Sequence, residues 1–360
     1  MLREIGFVKT LGTSIKYQEE KFVELTSTQL GLIDAIEENK RIIIHGAAGT
    51  GKTIVAKHLA LKLFEKGESV LFLCFNRLLA NKIREGINLR KVDKEVFQVA
   101  TFHSIAKDII TENDPLWWEE NSRSDDEFWS LEVPSKMDEV LSTHDGRKYD
   151  AIIIDEGQDF KEFWFDAVFK LCKKDARRYV FLDSMQNIFG HYSEVPSKES
   201  YFRYRLRDNL RNTKSIVRYI NQTVEAEVKV ADQSPEGSDV VEIECGNNTE
   251  LIKKLNDLLA ELVTKQKIDT SQILILINGA KVDSPISETK KIGKYPLKSL
   301  DRRARFESGV VHYTNIKTFK GLEQDIIIIL SDDSHPQNQK KIFYTQASRA
   351  KHGLYVLKKK

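Results

Sequence analysis

The chain has only three cysteines in 360 residues, Cys74, Cys172 and Cys245. They lie too far apart in sequence for a CxxC metal or redox motif, so buried thiols are the expectation for all three. No apolar run approaches the roughly 20 residues that a membrane span requires, and the opening MLREIGFVKTLG lacks the apolar core of a secretory leader. A cytoplasmic protein without membrane contact is expected. Low-complexity tracts and solenoid repeats are missing too, which excludes an array architecture. Charge of one sign is also scarce: 56 lysines and arginines stand against 54 acids, a net +2. That balance does not by itself announce nucleic acid, because a protein can gather basic residues in one groove and balance them elsewhere.

What is present is an ordinary globular composition, 41% hydrophobic and 31% charged, on a chain long enough for two cores. Before residue 190 the runs RIIIHG, SVLFLCF, VFQVATF, AIIIDE and YVFLD read as buried parallel strands. After residue 235 VVEIECG, ILILING, VVHYTNI, DIIIIL and LYVL read the same way. Alternation with helical patterns predicts an α/β fold of two open sheets, with sites at the carboxyl ends of their strands. The expected domains are residues 1–205 and 206–360. Residues 106–148, acidic and bearing DPLWWEE and SDDEFW, read as a lid or small subdomain. Residues 290–307, KKIGKYPLKSLDRRARFE, read as a surface loop. The stretch Phe202–Arg218 carries Arg203, Arg205, Arg207, Arg211, Lys214 and Arg218 against the single acid Asp208. Charge alone does not separate a nucleic-acid contact there from a solvated helix face.

The sharpest local signal is Gly46-Ala47-Ala48-Gly49-Thr50-Gly51-Lys52-Thr53, a GxxxxGK[ST] string directly after the strand RIIIH. Small residues let backbone N–H groups fold around phosphates, Lys52 reaches the β/γ oxygens, and Thr53 offers its hydroxyl to magnesium. A second buried strand, AIIID, ends in Asp155-Glu156-Gly157-Gln158-Asp159. Beside a P-loop this pair predicts that Asp155 holds Mg²⁺ and that Glu156 orients and deprotonates the attacking water. ATP and Mg²⁺ are the expected cofactors.

With these residues in place, the order of motifs resembles superfamily 1 helicases of the UvrD/Rep type, and most closely the helicase-like proteins often fused to a nuclease-related domain. The likeness spans nearly the whole chain. It implies two RecA-like P-loop NTPase domains with parallel sheets and an ATP site in the interdomain cleft. Leu25-Thr26-Ser27-Thr28-Gln29 resembles the Q motif, placing Gln29 on the adenine. LCFNRLLA, with Phe75 and Asn76, resembles motif Ia, and Thr101-Phe102-His103-Ser104 resembles the TxHS element along the nucleic-acid strand. DEGQDF is similar to the family's DExQD signature, with Gly157 as a small-for-small replacement of alanine. FLDSMQNIFG resembles motif III, implying that Gln186 touches both γ-phosphate and track. NLRNTKSI resembles motif IV, with Arg211 on the γ-phosphate, and Lys320-Gly321-Leu322-Glu323 resembles motif V, with Glu323 on the ribose. YTQASRAKHGLYVL resembles motif VI, which makes Arg349 a second arginine finger at the start of the final helix.

The departures carry meaning as well. Leu210 stands where many relatives have a tyrosine stacked on adenine, and His191 where they have a tryptophan under a base. Asn315 and Lys317 replace the threonine and histidine usual in motif V, with Lys317 near the strand. Phe189 and Tyr192 offer ring faces for bases, each worth about 1 to 3 kcal/mol if stacked; for Tyr192 core packing is the equal alternative. The large duplex-gripping inserts of bigger relatives are short or missing, and no metal-nuclease cluster is evident. Two functions follow: a motor on single-stranded DNA, or RNA, or a nucleic-acid-triggered ATPase that switches a partner such as a nuclease or other effector subunit.

Overall fold

The computed structural model describes residues 10–87, 93, 95–144, 146–183, 200–279, 284–300, 305–332 and 339–359, except the side chains of 25–30, 32, 35, 86, 87, 332 and 339. The chain divides into two compact units, Thr28–Arg207 and Met1–Ser27 with Asp208–Lys360. Helix α1 (Leu11–Leu30) opens the described chain. Its Leu11 and Ile15 are buried in the core of the second unit. Gly12 lies so close to the backbone there that an added Cβ would stand 2.9 Å from the carbonyl oxygens of Gln266 and Lys267. The N-terminal segment therefore belongs with the second sheet, whereas the sequence placed it with the first.

In the unit Thr28–Arg207, β1 (Arg41–Gly46), β2 (Val70–Cys74), β3 (Phe97–Thr101), β4 (Tyr149–Ile154), β5 (Cys172–Leu182) and β6 (Phe202–Leu206) form one sheet, ordered β3-β2-β4-β5-β1-β6. Every pairing is parallel. The apolar runs are continuous because strands covered on both faces have no wet side; all of β2 is buried. Between them run α2 (Leu32–Glu37), α3 (Lys52–Glu65), α4 (Arg77–Ile87), α5 (Phe102–Asn113), α6 (Pro115–Asn121), α7 (Val133–Thr143) and α8 (Glu162–Phe169). Phe128, Val133, Met137 and Val140 of the 106–148 insert share one core with Leu71, Ile152 and Val180 of the sheet. The insert is thus part of the domain's own helical layer, not the separate lid or subdomain expected.

In the other unit β7 (Asp208–Asn209) pairs with β8 (Lys229–Val230). The main sheet there is ordered β11-β12-β13-β10-β14-β15-β9. Its strands are β9 (Val241–Cys245), β10 (Ile273–Ile277), β11 (Lys291–Ile292), β12 (Tyr295–Ser299), β13 (Val311–Asn315), β14 (Gln324–Asp332) and β15 (Ala350–Lys359). Among the described residues, only β11 and β12 pair antiparallel. Helices α9 (Lys214–Val224), α10 (Asn248–Ala260), α11 (Ile316–Phe319) and α12 (Gln339–Ala347) connect them.

The paired α/β sheets expected are present. Two further segments differ. The 290–307 loop contains β11 and β12, because Ile292, Tyr295 and Leu297 turn inward while Lys291, Lys294 and Lys298 stay exposed. The basic stretch from Phe202 begins as edge strand β6, not a helix. Cys74 and Cys245 are buried as expected, whereas Cys172 is partly exposed. Among the described residues, no helix is long and apolar enough to cross a membrane.

Candidate functional site

Strand β1 delivers the P-loop at its carboxyl end. Gly49 and Gly51 take left-handed φ values of 75° and 83°, which L side chains reach only at a cost, and α3 begins at Lys52. Gly46 allows Thr50 to close over it, since a Cβ there would stand 2.4 Å from the Thr50 hydroxyl oxygen. Ala47 accepts a hydrogen bond from that hydroxyl at 2.9 Å, and Ala48 and Thr50 are buried. The Lys52 ammonium is 6% exposed; it donates to the carbonyls of Gly46 at 2.7 Å and Ala47 at 2.8 Å and lies 3.4 Å from Asp183 Oδ2. Phosphate oxygens would replace neutral carbonyl acceptors with charged ones, a stronger bond for the same donors.

Strand β4 brings the acids to the same edge. Thr53 donates its hydroxyl proton to Asp155 Oδ2 at 2.7 Å. Burial, with the charge of Glu156 beside it, pushes the Asp155 carboxyl up to about 7. A hard cation reverses that penalty, and hydroxyl plus carboxylate oxygens are the donors that Mg²⁺ takes. Glu156 is 4% exposed and sits at φ 56°, ψ 37°, a left-handed conformation rare outside glycine. Such strain, of order 1 to 3 kcal/mol, persists where surrounding structure imposes it, and it concentrates at functional sites.

Gln158 ties the acid to the neighbouring strand. Its Nε2 donates to Glu156 Oε2 at 2.5 Å, and its Oε1 accepts from the Asp183 backbone N–H at 2.9 Å, just past β5. Neither Gln158 nor Asp183 had been singled out from sequence, although both lie in quoted strings, DEGQDF and FLDSMQ. The signal was available: polar residues at the carboxyl ends of adjacent parallel strands. Gly157 is less interchangeable with alanine than its size implies. A Cβ would come within 2.8 Å of Val180 Cγ1 and 2.9 Å of Leu182 Cδ2. Gly157→Ala is expected to cost about 1 to 3 kcal/mol in a chemical denaturation series, the range for overpacking a filled core.

A second cluster forms within the other unit. Arg211 is ion-paired with Glu323. Asn209 and Asn212, both buried, shape the Arg211 turn: Asn209 Oδ1 accepts from the N–H groups of Arg211 and Asn212, and Asn212 Nδ2 donates to the carbonyls of Ser348 at 3.2 Å and Ala350 at 2.5 Å. The Asn212 bonds fall on either side of Arg349, and sequence reasoning missed both asparagines; their i, i+3 spacing in NLRN was the clue. Arg349 lies in the turn after α12, not at a helix start. The motif begins on a helix already under way, because the apolar spacing of KKIFYTQA continues into it. Arg349 is 6% exposed and donates to the Thr345 carbonyl at 3.1 Å, the Leu322 carbonyl at 3.2 Å and Ser348 Oγ at 3.1 Å. Leu210 is buried beside this cluster.

The expected nucleic-acid residues fare unevenly. Phe102 is 1% exposed, its ring stacked on Trp164 at 4.2 Å, so it offers no face to a base; this corrects the expected contact to core packing. Thr101 caps α5, its hydroxyl accepting the Ser104 N–H at 3.2 Å, and Asn76 takes the Leu79 N–H at 2.8 Å at the start of α4. Both have a local structural duty. Phe75 and His103 are partly exposed rings, stacked on Trp164 and tilted against Trp129 respectively. Lys317 is exposed on α11. Gln186, Phe189, His191 and Tyr192 lie outside the described residues, as does the side chain of Gln29.

Residues 13–177 match the family model described as type III restriction enzyme, res subunit. The match is to a helicase-type P-loop domain. It covers the loop and the Asp155-Glu156 pair and ends short of Asp183. Arg211, Glu323 and Arg349 stand beyond the matched residues.

Proposed function

We propose that the chain is an ATP-dependent nucleic-acid motor of the superfamily 1 type, coupling ATP hydrolysis to movement along single-stranded DNA. The observation that carries this reading is the convergence of Lys52, Thr53, Asp155, Glu156 and Asp183 at one sheet edge, with Gln158 bridging base and strand end. In it, the Gly46–Thr53 backbone and Lys52 bind the phosphates, Thr53 and Asp155 hold magnesium, and Glu156 accepts the proton of the attacking water. Magnesium, when bound, neutralises phosphate charge. Arg211 and Arg349 act on the γ-phosphate, and Glu323 on the ribose. The Gln158 link from Glu156 to the start of the FLDSMQ segment supports a coupling of hydrolysis to the track. The order of the motifs beyond the matched residues supports the superfamily 1 assignment.

Edge strand β6 supports the choice of nucleic acid. Arg203 and Arg205 on β6 and Arg207 just past its end are exposed at alternate positions, and among the described residues none forms an ion pair. Together with burial, Arg203 and Arg205 hold the His45 imidazole below its usual range. A strand spaces such side chains about 6.6 Å apart along one face. If each neutralises a phosphate, replacing all three with alanine reduces the slope of log affinity against log salt for single-stranded DNA by about 2, at roughly 0.7 per contact. An unchanged slope removes β6 from the track.

Displacement of streptavidin from the end of a biotinylated oligonucleotide tests the motor directly. ATP-dependent displacement is expected. Strand-stimulated hydrolysis without displacement would favour the alternative, an ATPase that switches a nuclease or other effector partner.

A further inference from the structure

Just beyond the Arg349 turn that Asn212 holds, a second set of polar contacts ties down the same stretch of chain. Strand β15 pairs with β14 as Gln324↔Ala350 and then Ile326↔Gly353, so Lys351 and His352 together face the single residue Asp325. This is a β-bulge, a device that re-aims side chains and is over-represented beside active sites. The bulge carries the network. Lys351 bonds Glu19 of α1 and lies 2.8 Å from Asp325 Oδ1. His352, with no exposed surface, faces Gln18 Oε1 at 2.7 Å through Nδ1 and Glu19 Oε1 at 2.9 Å through Nε2. Gln272 donates to Asp325 Oδ2 at 2.7 Å.

Glu19, Asp325 and His352 have donor atoms within 4.8 Å of one another, a spacing compatible with a metal. The Lys351 ammonium already bridges both carboxylates, however, so the cation of this cluster is part of the chain. Its other feature is position. Arg349 stands two residues before Lys351, and its carbonyl accepts the N–H of Gln324, which follows Glu323. Arg349 and Glu323 are therefore anchored to the strand ends that the bulge joins.

We propose that Glu19 is a positioning residue for ATP hydrolysis: by clasping Lys351 and His352 it fixes the bulge, and through the bulge the orientation of Arg349. The inference rests on the reading of Arg349 as a hydrolytic group. Asn212 holds the carbonyls on either side of Arg349, and Glu19, bonded to both side chains of the bulge, holds the start of the strand into which that turn leads. Misplacing a catalytic group by about 1 Å is felt as roughly 10²-fold in rate.

The test is a double-mutant cycle on steady-state ATPase with saturating magnesium and single-stranded DNA, alongside nucleotide titrations and thermal melts. Glu19→Ala is expected to lower kcat about 10- to 100-fold with ATP affinity within about 3-fold. Glu19→Gln, which keeps an oxygen for both partners, should recover most of that loss and serves if the alanine variant does not fold. In an Arg349→Ala background Glu19→Ala should add less than about 2-fold, because the residue through which it acts is gone. A Glu19→Ala protein that melts earlier yet keeps its kcat per folded molecule overturns the proposal, as does a loss that multiplies with that of Arg349→Ala. If Arg349→Ala itself turns over normally, the reading of Arg349 falls and the proposal with it; if Arg349 matters and Glu19 does not, the proposal alone fails.

Discussion

Glu156→Gln is expected to lower kcat for ATP by about 10² to 10⁴-fold while leaving nucleotide binding nearly intact, and Lys52→Ala to reduce hydrolysis to background. The two differ in what is removed. Glu156 offers a carboxylate held in a left-handed backbone conformation by the turn after β4 and gripped by Gln158. Glutamine preserves the shape of that grip and removes only the base, so the proton of the attacking water has no acceptor. Lys52 is a nearly buried ammonium whose donors point at the loop carbonyls of Gly46 and Ala47. Removing it takes away the charge that meets the β/γ oxygens. Asp183 is left without the cation 3.4 Å away, so part of the loss will appear as weakened ATP binding. Phosphate release and nucleotide titration on the same preparations separate these effects; wild-type turnover in either variant would remove the P-loop and acid pair from the chemistry.

Arg349→Ala is the second large effect. If the guanidinium acts mainly in the transition state, kcat should fall by about 10² or more with ATP affinity changed only a few-fold. Its surroundings add a condition that the motif alone did not show. Arg349 donates to two backbone carbonyls and a serine hydroxyl, all buried, so alanine strands these acceptors at about 1 to 3 kcal/mol for each that finds no water. The rate must be referred to folded protein, measured by circular dichroism before each assay. Arg349→Lys should rescue only in part, since an ammonium keeps the charge but lacks the planar fork that bonds several oxygens at once. A near-normal kcat in folded Arg349→Ala would confine this arginine to holding its turn.

A smaller effect with a definite sign comes from Glu19. The hydrogen bond from His352, aided by Lys351 and opposed by partial burial, depresses its carboxyl to about 2. A depressed folded value means that its contribution to stability is full above the ordinary range near 4.5 and is lost as pH falls toward about 2. Glu19→Gln should therefore flatten the acid limb of unfolding across that interval, seen in melts at stepped pH. Because the side chain is 40% exposed, solvent screening keeps the effect modest.

The interior strands were legible because a parallel strand covered on both faces must be written as a continuous apolar run, as in RIIIHG and AIIIDE. Strands β6 and β12 were not, since FRYRL and YPLKS break their apolar residues with charged or polar ones and resemble basic surface chain. The allegiance of α1 was also hidden. An amphipathic helix declares that one face is buried, not against which core. Within the site, Lys52, Thr53, Asp155 and Glu156 were readable because each motif is contiguous and its chemistry follows from residue type. Gln158, Asp183 and Asn212 act through hydrogen bonds to residues distant in sequence, which no local string records, whereas Asn209 bonds within its own turn. Phe102 shows the opposite failure. A motif named for the strand it lies along still needs residues that face inward, and Phe102 is one of them.

The most direct measurement is phosphate release by the whole chain in magnesium and ATP, with and without single-stranded DNA, for the wild type and Glu156→Gln side by side. The wild-type rate should rise on adding the strand, fall steeply with salt, and drop by about 10² to 10⁴-fold in Glu156→Gln under every condition. A rate indifferent to polynucleotide and unchanged by Glu156→Gln would contradict the proposed motor.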